Sequence, residues 1–93
     1  MAWTWDPAKA AANLAKHGVT FELAITVFLD PCHLSEPDPH PDGDRWQTIG
    51  RAGFATLFVV HTLTEPDLEY GRIISARRAT GPERKRYEQA LHA

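Results

Sequence analysis

The sequence FATLFVVHTL, residues 54–63, decides the fold because it is nearly continuously apolar. A strand that is buried on both faces has this pattern, and we therefore predict a central strand of a sheet. Side chains alternate along a strand. One face then carries Phe54, Thr56, Phe58, Val60 and Thr62, and the other carries Ala55, Leu57, Val59, His61 and Leu63.

Strand patterns also precede and follow this run. Residues Arg45–Arg51 alternate, and Ala52-Gly53 is short enough for a tight hairpin into the central strand. Tyr70–Arg78 is predicted as the last strand, after a turn at Thr64–Glu69. A proline-rich loop leaves room for a short edge strand around His33–Glu36. The prediction is an antiparallel sheet of three or four strands.

Two helices are predicted before the sheet. Asp6-Pro7 begins the first, because aspartate caps free backbone N–H groups and proline suits the first helical position. This helix ends at His17, since Gly18 accepts the left-handed conformation. The second runs from Thr20 to Asp30-Pro31. Its buried face recurs at helical spacing, at Phe21, Ala24, Ile25 and Phe28.

A third helix is predicted after the last strand. Thr80-x-x-Glu83 has the pattern of a capping box, and the helix should continue to about Leu91 with Tyr87 and Leu91 buried. The order of elements predicts an α+β fold in which residues 1–93 form a single domain.

Composition predicts a folded cytoplasmic protein. Of the 93 residues, 43% are hydrophobic and 24% charged, which argues against disorder. Cys32 is the only cysteine, so no internal disulfide can form. The start, MAWTWDP, has no signal-peptide pattern, and no apolar run approaches the ~20 residues of a membrane helix.

Charge is distributed unevenly behind a net value of −2. Residues 22–70 carry nine acidic side chains and two arginines, whereas residues 71–93 carry six basic and two acidic side chains. A local basic field attracts phosphates even on an acidic protein, because screening limits distant charges to a reach of ~8–10 Å.

The basic segment RIISARRATGPERKRYE, residues 72–88, is therefore a candidate anion surface. Arginine forks match phosphate oxygens and stack on bases. Alternation predicts Arg72 and Arg78 on one face of the strand and Arg77 on the other. In an alternative, these arginines pair with Glu83 or with acids of the middle segment. Three further basic residues can simply solvate the last helix: Arg84, Lys85 and Arg86.

His61 and the histidines of the proline-rich loop have separate interpretations. An unperturbed pKa of ~6.5 suits His61 for acid–base work, but it shares a strand face with apolar residues and can equally be a core residue. His33 and His40, with Asp38 and Asp42, lack a recognised ligand spacing. No metal site and no cofactor are predicted.

Four segments together resemble the BrnT-type toxins, and they cover nearly the whole chain. The first is WDPAKAAANLAKHGVTFELAITVFLDP, residues 5–31. RWQTIG (45–50), VVHT (59–62) and the basic segment (72–88) follow in the same order as in that family.

The resemblance implies a fold, an activity and partners. BrnT-type proteins are RelE-like toxins of bacterial type II toxin–antitoxin systems, with two N-terminal helices, an antiparallel sheet and a C-terminal helix. They are endoribonucleases that need no metal, inhibit translation, and use ribose 2′-OH attack to leave a 2′,3′-cyclic phosphate. A BrnA-like ribbon-helix-helix antitoxin neutralises the toxin and alone contacts operator DNA, in an expected complex of two toxins with two antitoxins. No membrane is involved.

This chemistry assigns roles to the candidate residues. Arg72, Arg77 and Arg78 are expected to bind the phosphate and the transition state, with His61 as acid or base. Arg45, Lys9 and His17 are expected to bind RNA. The helical stripe Lys9, Asn13, Lys16 and His17 belongs either to that surface or to packing against the sheet, and mid-helix Asn13 suggests a specific hydrogen bond.

Three further interpretations stay open. Glu83 caps the last helix or acts as a base, and Tyr87 belongs to the core or to catalysis. The protein is alternatively a non-catalytic co-repressor that binds nucleic acid or antitoxin, or a bare nucleic-acid-binding module with salt-dependent affinity. An acidic antitoxin segment is expected to occlude the Arg72–Arg78 region.

Overall fold

A computed structural model describes residues 3–39, 44–63 and 71–91. The helices are α1 (Pro7–His17), α2 (Phe21–Ala24), a 3-10 helix (Ile25–Leu29) and α3 (Gly81–Leu91). The strands are β1 (Trp3–Thr4), β2 (Leu34–Pro37), β3 (Trp46–Ala52), β4 (Ala55–His61) and β5 (Gly71–Arg78). The predicted turn at Thr64–Glu69 and the predicted strand start at Tyr70 lie outside the described residues. None of the helices in these ranges is long and apolar enough to cross a membrane.

Within these ranges the sheet has five strands in the order β1-β5-β4-β3-β2, with β4 at its centre as predicted. The α+β class and the edge strand in the proline-rich loop are confirmed, but three or four antiparallel strands is wrong. The additional strand is β1, which pairs in parallel with the start of β5, Trp3 with Gly71 and Thr4 with Arg72. Two residues are too few to show a strand periodicity in the sequence.

The ends of α1 follow its capping residues. The Asp6 carboxylate accepts a hydrogen bond from the Ala8 N–H at 2.8 Å. Gly18 has φ = 70°, and its N–H donates to the Leu14 carbonyl at 2.8 Å. The predicted boundaries of this helix are confirmed.

The second predicted helix is present only in part. Thr20 caps it, but α-helical geometry ends at Ala24 and a 3-10 helix follows. Three successive β-branched residues, Ile25–Val27, disfavour the α-helix because their side chains crowd the preceding turn. The Thr26 hydroxyl also donates to the Leu23 carbonyl at 2.6 Å. The tighter helix buries two adjacent side chains, Val27 and Phe28.

Hydrophobic residues pack on both faces of the sheet. The larger cluster joins the N-terminal helices to one face, and its central members are Phe21, Val27, Leu57, Val59 and Ile73. On the opposite face, Ile49 and Phe58 pack against Tyr87 of α3. Tyr87 is 3% exposed, as predicted for the core. Leu91 is 43% exposed, so its predicted burial is wrong, because the sheet contacts α3 through Tyr87 and not through its last turn.

A β-bulge interrupts the pairing of β4 with β5. Val60 pairs with Ser75 and His61 with Ile73, which leaves Ile74 without a partner on β4. The extra residue reverses the alternation along β5. Ile73 and Ala76 both reach the larger core cluster, and Arg72 and Arg77 share the opposite face. The prediction that Arg72 shares a face with Arg78 is therefore wrong.

Candidate functional site

A cavity of about 320 Å³ brings together three of the predicted site residues, Lys9, Arg45 and Arg72. They come from α1, from the residue before β3 and from β5, and Asp44, Thr62 and Ile74 also line it. Among the described residues of the lining, three cations face one carboxylate. The cavity can therefore hold an anionic group such as a phosphate.

The backbone of Arg72 is fixed by Thr62. Its N–H donates to Thr62 Oγ1 and its carbonyl accepts from the Thr62 N–H, both at 2.9 Å. Gly71 permits this approach, because a Cβ there would lie 2.1 Å from the Thr62 carbonyl oxygen. The arginine side chain itself is exposed.

A second cavity of about 230 Å³ adjoins the first through Lys9 and Ile74. Lys16 and His17, both about two turns farther along α1 than Lys9, also line it. The predicted stripe of α1 therefore faces β5, and the bulge residue Ile74 lies between the two cavities. We call the combined surface the basic edge: Lys9, Lys16, His17, Arg45 and Arg72.

Asn13 joins α1 to the free edge of β5 beneath this surface. Because β1 pairs only with Gly71 and Arg72, no strand in the described part of the chain pairs with the later residues of β5 on that side. Asn13 Nδ2 donates to the carbonyls of Ala76 (2.8 Å) and Val19 (3.0 Å), and its Oδ1 accepts from the Ala76 N–H at 3.1 Å. The specific hydrogen bond that the sequence suggested for Asn13 is confirmed.

Arg77 is paired with Glu83. Its Nη1 and Nη2 donate to the two carboxylate oxygens at 2.7 and 2.9 Å, and its guanidinium lies 4.2 Å from the centre of the Phe58 ring. The hydrogen bonds between the two raise the pKa of Arg77 and lower that of Glu83. Glu83 also accepts from the Thr80 N–H at 2.8 Å, which completes the predicted capping box. For Arg77 the structure therefore matches the second interpretation of the sequence, in which an arginine of this segment pairs with Glu83.

Arg78 lies at the other end of β5, in a cavity of about 210 Å³ beside the β3–β4 hairpin. We call this cavity the hairpin hollow, and its lining is Arg51, Phe54, Ala55, Thr56, Arg78, Ala79, Arg84 and Glu88. Six residues of strand separate the Cα atoms of Arg72 and Arg78 by roughly 20 Å. The structure therefore does not bring Arg72, Arg77 and Arg78 to one phosphate.

His61 lies in the core, apart from the arginines, with no exposed surface. Its Nδ1–H donates to the Thr62 carbonyl at 3.0 Å, so its Nε2 accepts from the Thr48 hydroxyl at 2.7 Å. Burial lowers the pKa of His61 to about 4, although the bond to Thr62 opposes the shift. The imidazole is therefore neutral at physiological pH. Ser35 extends this chain with a 2.7 Å bond to Thr48, a connection that the sequence pattern did not indicate.

Asp30 is a half-buried junction between three elements that the sequence did not reveal. Its carboxylate accepts from the N–H groups of Cys32 and Arg51, each at 2.9 Å, and from the Tyr87 hydroxyl at 2.5 Å. Burial acts to raise the pKa of Asp30, but these bonds outweigh it and the pKa is lowered. Burial and the bond to Asp30 raise the pKa of Tyr87 to about 12. The hydroxyl thus anchors α3 to the end of the 3-10 helix.

The loop histidines form no metal cluster within the described residues. Two members of the set considered from the sequence, His40 and Asp42, lie outside that part of the chain.

Comparison with known families adds to this geometry. Residues 5–83 match the family described as ribonuclease toxin, BrnT, of type II toxin–antitoxin system. Comparison with curated proteins gives no match. The matched range includes both caps of α1, all of β2 to β5 and every residue of the basic edge. The chain belongs to the BrnT family of ribonuclease toxins of type II toxin–antitoxin systems.

Proposed function

We propose that the protein is an endoribonuclease that binds its substrate strand along the basic edge. The observation that carries this proposal is the cavity where Lys9, Arg45 and Arg72 meet. A phosphodiester accepts hydrogen bonds from ammonium and guanidinium groups, and Lys16 of the adjoining cavity extends the positive surface to a neighbouring phosphate.

Cleavage in this proposal uses protein groups and no metal ion. The ribose 2′-oxygen attacks the adjacent phosphorus, the bond to the 5′-oxygen breaks, and a 2′,3′-cyclic phosphate and a 5′-hydroxyl result. Arg45 and Arg72 offset the charge that develops on the phosphorane. Asp44, the carboxylate that lines the cavity, accepts the 2′-hydroxyl proton, and Lys9 protonates the leaving oxygen.

Arg77, His61 and Arg78 were also predicted from the sequence to be catalytic, but this proposal gives them no step in the reaction. Arg77 is held by Glu83 and ties β5 to α3. His61 has no exposed surface and supports the strands through Thr48 and Thr62. Arg78 is too far from Arg72 to share its phosphate. Catalytic roles for these three residues stay predictions.

An antitoxin partner follows from membership of a type II family. We propose that it is a BrnA-like ribbon-helix-helix protein, that an acidic segment of it covers the basic edge, and that two toxins and two antitoxins assemble. Operator DNA is then contacted only through the antitoxin. Cleavage of cytoplasmic RNA accounts for inhibition of translation.

Induced expression in bacteria without the antitoxin tests the proposed nuclease. Wild type should arrest growth and cleave RNA, whereas Arg72→Ala should do neither. The purified wild type should cleave RNA in the presence of EDTA and leave 2′,3′-cyclic phosphate ends, detected by their resistance to phosphatase until the ring is opened.

Lys85→Ala is the matched control, because it removes one exposed positive charge outside the basic edge. Circular dichroism should show that all three proteins are folded. Soluble wild type that neither arrests growth nor cleaves RNA would favour the co-repressor alternative, and activity lost with EDTA would contradict metal-independent cleavage.

A further inference from the structure

Phe54 is the most exposed large apolar side chain among the described residues, at 104% relative exposure. It occupies the two-residue turn between β3 and β4, next to Gly53. A single exposed apolar residue is ordinary. This one, however, lines the hairpin hollow together with three arginines.

The arginines of the hairpin hollow come from three different elements. Arg51 belongs to β3, Arg78 ends β5, and Arg84 lies on α3. Glu88 is the only carboxylate among the described residues that line the hollow, and it contacts Arg84 loosely, at 3.9 Å between Nε and Oε1. The hollow therefore has a surplus of positive charge beside an aromatic ring.

The backbone around these side chains is held in place. The Arg51 N–H donates to Asp30 at 2.9 Å, and the Ala79 N–H donates to the Thr56 carbonyl at 2.9 Å. Little backbone rearrangement is then needed when an anion enters, which favours binding.

We propose that the hairpin hollow binds one nucleotide of a single-stranded RNA, with the base stacked on Phe54 and the phosphate held by the surrounding guanidinium groups. Aromatic rings beside arginines bind single strands in this way without reading sequence. The inference rests on the proposed nuclease function, because it concerns the same substrate strand. It adds a contact site that is separate from the Lys9–Arg72 cavity.

The spacing of the two sites sets a length requirement. Arg72 and Arg78 lie roughly 20 Å apart along β5. At about 3.4 Å per stacked nucleotide, about six nucleotides span that distance. A strand of ten nucleotides therefore reaches both sites.

Binding of a fluorescein-labelled 2′-O-methyl decanucleotide tests the base contact, because this RNA lacks the nucleophile for cleavage. Phe54→Ala should weaken binding at least about fivefold, the low end of what one base–aromatic stack contributes. Phe54→Trp should restore or strengthen binding. Leu29→Ala, which also truncates an exposed apolar side chain but lies outside the hollow, should bind as wild type does. Equal affinity of Phe54→Ala and wild type would overturn the inference.

The salt dependence of the same binding tests the phosphate contact. Arg84→Ala should reduce the slope of log Kd against log salt by about 0.7, the value for one phosphate of a single strand. Lys85→Ala, its neighbour outside the hollow, should leave the slope unchanged. Equal slopes for Arg84→Ala and wild type would overturn the phosphate contact.

Parallel cleavage and antitoxin assays separate this inference from the proposed function. Wild type that cleaves RNA while Phe54→Ala binds with wild-type affinity would overturn the inference alone. Wild type that neither binds nor cleaves RNA would overturn both. Weaker antitoxin binding by Phe54→Ala with unchanged RNA binding would assign the hollow to a protein partner, contrary to the inference.

Discussion

The side chain of Asn13 takes the place of a strand at the edge of β5. Its amide satisfies both backbone groups of Ala76 and the carbonyl of Val19 in a position that is 7% exposed. Mid-helix asparagine has a cost in helix propensity, and the sequence alone indicated that a contact must compensate for it. Its partner, 63 positions away, could not be predicted, because sequence periodicity carries no information about pairing.

Asn13→Ala should destabilise the protein by about 2–4 kcal/mol, because three buried backbone groups lose their partners. The free energy of unfolding in urea measures the effect. Ala15→Ser, at an exposed position of the same helix, is the control and should change stability by less than about 0.5 kcal/mol. A loss below about 1 kcal/mol for Asn13→Ala would mean that water replaces the amide.

His61 should make stability depend on pH. Its pKa is about 4 in the folded protein against 6.5 for the free side chain, so the unfolded chain binds more protons between these values. Its contribution is complete above pH 6.5 and is lost as the pH falls toward 4. Between pH 7 and pH 5 the loss should be about 2 kcal/mol.

Urea unfolding at both pH values measures this loss, and His61→Gln should remove most of the difference. The same pH dependence in His61→Gln would assign it to other groups. The sequence offered both a catalytic and a core interpretation of His61. It could not decide between them, because the burial depends on Trp3 and Phe28, whose rings lie 5.3 and 4.9 Å from the imidazole.

At the scale of elements, α3 is fastened to the sheet by polar contacts as well as by Tyr87 packing. Glu83 binds Arg77, the Tyr87 hydroxyl binds Asp30, and Arg86 pairs with Glu36 of β2. The capping box could be predicted from the sequence because its two residues are three positions apart. The partners of α3 on other elements could not be predicted, because they depend on where α3 lies on the sheet.

Glu83→Ala should lower the free energy of unfolding by about 1–3 kcal/mol, because both the cap and the ion pair are lost. A double-mutant cycle with Arg77→Ala should give a coupling on the order of 1 kcal/mol. Glu88→Ala, whose ion pair with Arg84 is exposed on both sides, should cost less than about 0.5 kcal/mol. A coupling near zero would show that Glu83 acts only as a cap.

The remaining differences between the predicted and observed elements have local causes. Helix α1 was predicted to the residue because both of its caps are strong signals. The second helix changed to 3-10 geometry where β-branched residues follow one another. Strand β1 was not predicted, because two residues are too few to show the alternating pattern of a strand.

At the scale of the whole molecule, seven of the basic side chains lie in two separate places, Lys9, Lys16, Arg45 and Arg72 at the basic edge and Arg51, Arg78 and Arg84 in the hairpin hollow. The sequence indicated which residue types carry the positive charge, and the RNA-binding or catalytic roles of Lys9, Arg45 and Arg72 stay predictions. It placed Arg72 and Arg78 on one face of the strand, but they lie roughly 20 Å apart and on opposite faces. The bulge at Ile74 that separates their faces is a property of two paired strands and has no signature in either one.

The pairing of the first strand with the last also has a consequence for synthesis. Trp3 and Thr4 are synthesised before their partners Gly71 and Arg72, and Asn13 cannot form its bonds until Ala76 has been made. Contacts between residues so far apart in the sequence delay folding, because the intervening chain must be made first. The basic edge therefore cannot form before Arg72 has left the ribosome, and a shorter nascent chain lacks the surface that we propose for RNA.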